Sequence, residues 1–272
     1  MYLFVGEVVI MDYLVVDMGN FLTKWGICSV YEDGQRCWRV TESIPTRKSS
    51  ELLSSWEKVS LRYRPDYVSI SNVSSMNLDV VVPLFEEYWG LPVNHIISAS
   101  DYRGLRSLYK NPRQLGSDRW ASAVAAYTLF PAEFVVVLNC GTALTADVVG
   151  DSLYWGGTIA PGFYWLEKSL LEGTTLTLED IDFSELPHML NDFPQDTTTA
   201  VKLGSCDLAI GWAQRMVERA SNKFKMTPRI IISGGSGEFL YRLWNKSFSI
   251  PAHYIDTLVL DGLVYITQHK TG

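Results

Sequence analysis

Short apolar segments alternate with longer amphipathic ones along most of the chain. The short segments are rich in β-branched residues and are bounded by Gly, Asn, Asp or Ser, which is typical of strands. They predict strands at Tyr13–Val16, Trp25–Val30, Tyr67–Ile70, His95–Ile97, Phe134–Leu138, Ala146–Val149 and Arg229–Ile232. Apolar residues at helical spacing predict helices at Ser49–Tyr63, Val80–Trp89, Ser117–Leu129, Phe163–Leu171, Ala200–Phe224 and Leu258–Gln268. Strands mixed with helices indicate an α/β protein.

One strand–turn–strand pattern occurs twice. Val15–Thr23 and Val137–Thr145 each hold a strand that ends in a carboxylate or its amide, then any residue, a Gly, a small polar residue, two more residues and a Thr. A second strand follows in both places. The repeat predicts two similarly built domains, which we place at residues 1–130 and 131–272. Between the predicted helices, Glu172–Thr199 is polar and poorly periodic, which favours loops.

Composition restricts the class of protein. Hydrophobic residues make up 47% and charged residues 19% of the 272 residues, which is typical of a globular chain. The net charge of -7 argues against a nucleic-acid partner. The four cysteines form no C-x-x-C pair and the four histidines show no metal-ligand spacing. We therefore expect reduced thiols and a cytoplasmic location.

The first ten residues are apolar, but we expect no targeting segment in them. They lack basic residues and contain Glu7, so they fit neither a signal peptide nor a membrane span. Met11 is an alternative start, and an added edge strand is the other interpretation. No other run is long and apolar enough to cross a bilayer.

The two repeated turns have the chemistry of a phosphate site. Gly19 and Gly141 allow backbone angles closed to other residues, and successive backbone N–H groups can then point at one anion. Asp17 at the strand end is a candidate Mg²⁺ ligand, and Lys24 brings positive charge toward phosphate. Further donors are supplied by Asn20, Thr23, Thr142 and Thr145. One such turn is more typical of a plain hairpin, but two with matched spacing favour a triphosphate bound from both sides.

A third element is Gly116–Arg119, which opens an apolar helix. Ser117 or Asp118 can cap that helix, whose dipole favours an ionised carboxylate. Opposite a γ-phosphate, Asp118 would instead accept the proton of a substrate hydroxyl, and Arg119 would bind a substrate carboxylate.

Two more glycine clusters follow along the chain. We predict a tight turn leading into a helix at Trp155–Gly162. Ser233–Gly237 follows a buried strand and would let a nucleotide base or ribose lie close to the backbone. Either cluster alone is more typical of a turn than of a site.

This ordered set of motifs resembles the type III pantothenate kinases of the acetate kinase/sugar kinase/Hsp70/actin superfamily. The matching segments run in family order across nearly the whole chain: Asp17–Lys24, Gly116–Arg119, Asn139–Thr145, Gly156–Gly162, Gly234-Gly235 and Leu260–Leu263. The resemblance implies two actin-like (ribonuclease H-like) domains with an internal duplication, each a mixed sheet flanked by helices. It also implies ATP-dependent phosphorylation of pantothenate, the first step of coenzyme A synthesis.

The resemblance further implies a role for each matching residue. ATP would contact Asp17, Met18, Gly19, Asn20, Phe21, Leu22, Thr23, Lys24 and Thr142. Asp118 would be the catalytic base, and pantothenate would contact Tyr109, Gly116, Ser117, Asp118, Arg119 and Thr197. The family is also implied to need a monovalent cation, K⁺ or NH₄⁺, and to form a homodimer that shares its substrate pockets.

Two residues depart from the family pattern. Phe21 replaces the usual Thr after D-x-G-N, so one hydroxyl near phosphate is missing or is supplied by Thr23. Asn139 replaces the Asp implied to bind the monovalent cation. Asn keeps a carbonyl oxygen but loses the charge that hard cations prefer, so we expect a weakened or altered K⁺ requirement.

Two other functions are compatible with parts of the pattern. One is a kinase of the same superfamily acting on a sugar or another acid, although the short Tyr109 to Arg119 segment suits a small carboxylate substrate. The other is a nucleotide-binding regulatory or accessory protein with weak or no kinase activity. Phe21 and Asn139 favour this last reading, and the intact Asp118 opposes it.

Overall fold

The computed structural model describes residues 9–46, 49–179, 186–191 and 193–271. Its strands are β1 Val9–Met18, β2 Leu22–Tyr31, β3 Arg36–Pro45, β4 Tyr67–Asn72, β5 Val93–Ile96, β6 Asp101–Tyr102, β7 Leu105–Ser107, β8 Val135–Cys140, β9 Ala143–Gly150, β10 Leu153–Pro161, β11 Arg229–Ser233 and β12 Ala252–Tyr254. Its helices are α1 Ser49–Ser60, α2 Leu78–Trp89, α3 Ser117–Leu129, α4 Phe163–Gly173, α5 Thr197–Phe224, α6 Gly237–Ser247 and α7 Leu258–Thr271. The predicted α/β class is confirmed.

Every predicted strand and helix overlaps an observed one, but the structure adds elements that the pattern missed. These are β3, β6, β7, β10, β12 and α6. β3 alternates mostly half-buried and exposed residues and lies at the edge of its sheet, so it carries few of the apolar residues that mark a strand. In α6 the buried side chains lie at the helical spacing of Leu240, Leu243 and Trp244.

The prediction of a tight turn at Trp155–Gly162 is wrong. Most of this segment belongs to β10, which pairs antiparallel with β9 and contains a bulge between Tyr154 and Gly156. A side chain at Gly157 would collide with the carbonyl oxygen of Ala146, so glycine permits close pairing of the two strands. The predicted following helix is confirmed as α4, which begins directly after Gly162.

The first sheet has the strand order β3-β2-β1-β4-β5. β1 pairs antiparallel with β2, and β2 pairs antiparallel with β3. On the other side β1 pairs parallel with β4, and β4 pairs parallel with β5. The sheet is therefore mixed, with the first predicted turn joining β1 to β2.

The second sheet repeats this order. Its strands run β12-β11-β8-β9-β10-β7-β6, so that β8, β9, β10, β11 and β12 take the places of β1, β2, β3, β4 and β5. The directions also match, because β8–β9 and β9–β10 are antiparallel whereas β8–β11 and β11–β12 are parallel. The internal duplication predicted from the two turns is confirmed at the level of topology.

Two compact units are present, and neither is a continuous stretch of chain. The first takes the described residues up to Tyr102, with Asn111–Ala125 and the segment from Val259 onward; the second takes Arg103–Lys110 and Ala126–Leu258. This division differs from contiguous domains at 1–130 and 131–272. The reason is α7: a side chain at Gly262 would collide with the carbonyl oxygen of Ala121, so α7 lies backbone to backbone on α3 within the first unit.

Each unit has its own apolar core. In the first, the Trp56 ring meets Phe85 at 4.4 Å and Trp25 at 6.3 Å between ring centroids. In the second, one face of the sheet is covered by α5 and α6, whose buried residues pack on Val136, Leu138 and Ala146. Such cores fix the strand ends from which the site is built.

Some predictions fall on residues that the structure does not describe. The first eight residues are among them, and β1 begins at Val9. In the predicted loop region Glu172–Thr199, residues 180–185 and 192 also lie outside the description, and the rest contains the end of α4, a short 3-10 helix at Leu186–His188 and the start of α5. No helix within the described residues is long and apolar enough to span a bilayer.

Candidate active site

The first turn, Gly19–Phe21, is stabilised by hydrogen bonds from Thr46. Gly19 N donates to Leu22 O at 3.0 Å, closing the turn between β1 and β2. Thr46 donates its backbone N–H to Phe21 O at 2.8 Å and its hydroxyl to Gly19 O at 2.7 Å. These hydrogen bonds fix the backbone conformation of the turn, as the binding of an anion by backbone N–H groups requires.

Thr23 contacts Thr46 inside the turn. Its hydroxyl is buried and lies 3.1 Å from the Thr46 hydroxyl. The side chain therefore supports the turn from inside, whereas Phe21 and Leu22 are exposed. Asn20 is exposed too, and donates its side-chain N–H to Val73 O at 3.3 Å.

Asp17 stands at the end of β1 between two polar neighbours. The register places Lys24 of β2 on one side and Ser71 of β4 on the other. Its Oδ1 is buried and has no hydrogen-bond partner. Burial, followed by the nearby charge of Asp118, raises the pKa of Asp17 to about 7, against a hydrogen bond from Ser71 and the charge of Lys24, which lower it.

The segment Gly116–Arg119 brings the second carboxylate to this place. The Ser117 hydroxyl lies 2.8 Å from the Ser71 hydroxyl in the buried interior. Either serine could donate this bond, and Ser71 is the β4 neighbour of Asp17. The end of β1 and the first residue of α3 are thereby joined through Ser71, a residue that the sequence analysis missed.

Asp118 is half-buried in the first turn of α3. Its Oδ1 accepts the backbone N–H of Arg119 at 2.8 Å. A side chain at Gly116 would collide with this carboxylate, so the glycine leaves room for it. The charge of Asp118 is the second cause, after burial, that raises the pKa of Asp17 to about 7. Arg119 itself is buried.

The second turn, between β8 and β9, is braced by the two later glycine clusters. Gly141 N donates to Ala143 O at 3.0 Å, and Gly162 N donates to Thr142 O at 3.1 Å. Gly234 has φ +100° and lies against the backbone of Cys140, where a side chain would collide. Motifs that are far apart in sequence thus meet at one turn.

The residues beside the second turn carry oxygens but no charge. Asn139 pairs with Thr145 of β9 and with Ser233 of β11, so the three side chains share one face of the sheet. The hydroxyls of Thr145 and Ser233 are buried without hydrogen-bond partners. In the first unit the corresponding places hold Asp17, Lys24 and Ser71, two of them charged.

Other predicted substrate residues lie in the second unit. Tyr109 follows β7 and is half-buried, with its ring centroid 6.0 Å from that of Tyr154. Thr197 is the exposed first residue of α5, next to the capping residue Asp196. The first unit therefore assembles Asp17, Lys24 and Gly116–Arg119, and the second holds Asn139, Thr142, Tyr109 and Thr197.

A cavity of about 610 Å³ opens in the second unit beside the Gly234-Gly235 loop. It is lined by Phe163, Tyr164, Glu167, Lys202, Gly235, Ser236, Glu238, Phe239 and Arg242. At its wall the buried Lys202 Nζ lies 3.4 Å from Glu167 Oε2. Aromatic walls with a few placed charges, at this size, are typical of a small-molecule site.

The described residues fit a Mg²⁺ site of the kind that uses few protein ligands. Within the described residues no group of three or more His, Cys, Asp or Glu could hold a metal ion. Mg²⁺ in kinases needs only one or two carboxylates, because substrate phosphates supply the other ligands. The buried, unbonded Oδ1 of Asp17 fits that use.

Comparisons with solved structures place the fold. A protein described as a 2-dehydro-3-deoxygalactonokinase from Sinorhizobium meliloti matches with a TM-score of 0.55 at 13% identity, covering 94% of this chain and 96% of its own. A protein described as an N-acetylmannosamine kinase from Listeria monocytogenes matches with a TM-score of 0.52 at 16% identity, covering 96% and 100%. A Campylobacter jejuni protein described as a Baf family transcriptional activator matches with a TM-score of 0.54 at 20% identity, covering 95% and 100%. Together with the two mixed sheets, these likenesses define a protein of the actin-like sugar-kinase fold.

Sequence comparisons give the family. The family model for type III pantothenate kinase matches residues 13–219. A type III pantothenate kinase of Nitrosospira multiformis is 31% identical over 260 residues, which cover 95% of this chain and 92% of the relative. One from Herminiimonas arsenicoxydans is 30% identical over 262 residues, covering 94% and 97%. The chain belongs to the type III pantothenate kinase family.

Proposed function

We propose that this protein transfers the γ-phosphoryl group of ATP to the primary hydroxyl of pantothenate, the first step of coenzyme A synthesis. The observation that carries the proposal is the pair Asp17 and Asp118, joined through Ser71 and Ser117 in a chain of this family. One carboxylate faces the phosphates and the other faces the acceptor, which is the division of roles that phosphoryl transfer needs.

Asp118 is the base in this mechanism. Its carboxylate takes the proton of the pantothenate hydroxyl while the hydroxyl oxygen attacks the γ-phosphorus. The bond between that phosphorus and the β-bridging oxygen breaks, and ADP leaves with the electron pair. The proton ends on Asp118 and is returned to solvent before the next turnover.

The other residues position the two substrates and neutralise the charge of the phosphates. Arg119 binds the pantothenate carboxylate, helped by Gly116, Ser117 and Tyr109. Phosphate oxygens are bound by the backbone of the first turn, Asp17 to Lys24, and by Thr142 of the second. Thr23 acts through the shape of the turn, since its hydroxyl bonds Thr46. When bound, Mg²⁺ held by Asp17 neutralises phosphate charge.

Adenosine occupies the 610 Å³ cavity of the second unit. The cavity begins at Gly235 and Ser236, whose loop also braces the second turn through the bond from Ser236 N to Cys140 O at 2.9 Å. One loop thus supports both the phosphate end and the nucleoside end of the same ligand.

A coupled assay of ADP release, with pantothenate and with a panel of sugars and small hydroxy acids, tests this function. We expect ADP release that depends on pantothenate and on no sugar in the panel. Release that follows a sugar instead would move the protein to another kinase of the superfamily. A folded protein with no acceptor-dependent release would leave only nucleotide binding.

The monovalent cation is a separate part of the proposal. Asn139, Thr145 and Ser233 offer neutral oxygens that can contact K⁺ or NH₄⁺, but the carboxylate of the family pattern is missing. Neutral oxygens hold such a cation more weakly than a charged one does.

We predict that the wild-type rate in K⁺ exceeds that in Na⁺ by less than about twofold, while Asn139→Asp makes the rate K⁺-dependent by roughly tenfold, as expected when a charged ligand is restored. Steady-state rates in matched chloride buffers give both ratios. Thr145→Val, which removes one oxygen and adds no charge, is the control. A wild-type enzyme that is inactive without K⁺ would show that the neutral oxygens of Asn139, Thr145 and Ser233 suffice to bind the cation, and would contradict the prediction.

A homodimer completes the proposal, with α4 at its interface. Exposed apolar side chains cluster on this helix, where Tyr164 is 53% and Trp165 39% exposed and Leu170 and Leu171 also face outward. Exposed apolar groups on one helix are typical of an interaction surface. The exposed Thr197 would then reach the substrate pocket of the partner.

We predict that Trp165→Glu yields a monomer whose KM for pantothenate rises about tenfold, because a charge placed in an apolar interface costs several kcal/mol. Light scattering after size exclusion gives the mass, and initial rates give the KM. Leu61→Glu, at a site 91% exposed on the first unit, is the matched control. A dimer that survives Trp165→Glu would place the interface elsewhere. The cytoplasmic location stays part of the proposal.

A further inference from the structure

The second unit buries an acid that the proposed reaction does not use. Asp147 lies within β9 at 0% exposure, and Tyr154 of β10 is equally buried. The Tyr154 hydroxyl donates to Asp147 Oδ1 at 2.7 Å. A buried carboxylate is costly unless hydrogen bonds compensate it, and a bond to a charged acceptor is stronger than one between neutral groups. The pair therefore fixes the Tyr154 ring in one orientation.

The backbone around the pair is shaped to admit it. Gly157 is opposite Asp147 in the β9–β10 register, and a side chain there would collide with Asp147 Oδ1. The β-bulge between Tyr154 and Gly156 shifts the register just before this point. Tyr154, the last residue before the bulge, pairs with Val149, which is two residues beyond Asp147 on β9, so the tyrosine and the acid lie on the same face of the sheet.

Tyr154 in turn supports the loop that carries Tyr109. Its ring centroid is 6.0 Å from that of Tyr109, at an interplanar angle of 36°. Its backbone carbonyl accepts the N–H of Leu108 at 3.0 Å, and Tyr154 pairs with Ser107 in the parallel register of β10 with β7. Both the backbone and the ring of Tyr154 thus set where Tyr109 lies.

Asp147 also shares a sheet face with the second turn. It is two residues beyond Thr145 on β9, and residues two apart on a strand point to the same face. This face is opposite the one that packs on α5 and α6, where Ala146 and Val148 are found. The buried acid is therefore on the face with the proposed site, away from the apolar core of the unit.

We propose that Asp147 and Tyr154 are positioning residues that hold Tyr109 against the acceptor substrate. The proposal rests on the proposed function, in which Tyr109 contacts pantothenate. Asp147 orients the Tyr154 hydroxyl, the oriented Tyr154 ring supports the Tyr109 ring, and Tyr109 orders the acceptor. None of the three takes part in bond making.

The test is the change of Tyr154 to Phe, which keeps the ring and removes the bond to Asp147. We expect the KM for pantothenate to rise about tenfold with kcat and the KM for ATP within about twofold, because a lost ground-state contact raises KM alone. Tyr102→Phe is the matched control, since it removes a buried phenol bond to Tyr265 O at 3.0 Å in the first unit. That variant should lower the melting temperature and leave the KM for pantothenate unchanged.

A double-mutant cycle with Tyr109→Ala shows whether the effect passes through Tyr109. In that background Tyr154→Phe should change the KM by less than about 1.5-fold, because coupled residues are not additive. If Tyr154→Phe cannot be purified, Asp147→Asn keeps an acceptor oxygen but loses its charge, and should raise the KM about threefold.

Three results would overturn the inference. The first is an unchanged KM for pantothenate in Tyr154→Phe, or in Asp147→Asn where that variant replaces it. The second is an equal rise of this KM in Tyr102→Phe, and the third is an undiminished rise caused by Tyr154→Phe in the Tyr109→Ala background. The wild-type protein separates this failure from that of the proposed function. If the wild type phosphorylates pantothenate and these variants give such results, only the positioning role falls.

Discussion

Asp118→Asn is expected to lower the turnover number by on the order of 10³-fold, the range over which general bases contribute. The amide has nearly the same shape as the carboxylate but cannot take the proton of the acceptor hydroxyl. The KM for ATP should change by less than about threefold, because Asp118 acts on the acceptor. Initial rates with varied ATP and varied pantothenate give these values.

The variant should also stay folded. The charge of Asp118 is one cause of the raised pKa of Asp17, so its removal relieves repulsion within the buried pair. We expect a melting temperature at pH 8 equal to or above that of the wild type. Asp79→Asn, an exposed carboxylate in the first turn of α2, is the matched control and should be fully active. Turnover within tenfold of the wild type in Asp118→Asn would exclude Asp118 as the base.

Asp17→Asn is expected to make the protein more stable at pH 8 while abolishing its activity. The pKa of Asp17 is about 7 in the folded protein and 3.8 as the ordinary value. Between these values the unfolded chain releases the proton more readily, so the wild type loses stability as pH rises from about 4 to 7, and the loss is complete above 7. A pKa raised from 3.8 to about 7 corresponds to a loss of at most about 4 kcal/mol in the free energy of unfolding.

Urea unfolding at pH 5 and pH 8 without Mg²⁺ measures this effect. The free energy of unfolding of Asp17→Asn should fall less between the two pH values than that of the wild type. Asp196→Asn is the control. Hydrogen bonds from Thr199 lower the pKa of Asp196, so its contribution to stability is fully present above its ordinary pKa of 3.8, and this variant should lose the same stability at pH 5 and at pH 8. An equal pH dependence in wild type and Asp17→Asn would show that Asp17 is ionised at little cost.

A further consequence links Asp17 to its metal ion. Mg²⁺ binding requires the ionised carboxylate, so it should release a proton below pH 7 and strengthen as the pH rises through that value. The ionised carboxylate of Asp17, which destabilises the folded protein, is thus stabilised by Mg²⁺. Functional sites commonly lower the stability of a protein in this way.

Much of the fold followed from local patterns. The turns at Gly19 and Gly141 were predictable because a strand, a glycine and a matched Thr recur, and both lie where predicted between antiparallel strands. The matching order of the two sheets follows from the same repeat. α6 was missed although its buried residues keep helical spacing, because the adjoining glycines drew the interpretation toward a loop.

The supporting residues of the site could not be found in this way. Ser71, Thr46, Asp147 and Tyr154 carry no local motif, and their importance comes from partners 46, 27 and 7 residues away in the chain. Only pairing of strands brings such residues together. The same holds for β10, whose glycines serve close strand pairing where the local pattern suggested a turn.

The central claim is tested most directly by the product itself. Wild-type protein would be incubated with Mg²⁺, pantothenate and ATP labelled at the γ-phosphate, and the pantothenate analysed by mass spectrometry and ³¹P NMR. We expect label in a phosphate monoester on the primary hydroxyl of pantothenate with the wild type and none above background with Asp118→Asn. Unlabelled pantothenate after incubation with folded, ATP-binding wild-type protein would contradict it.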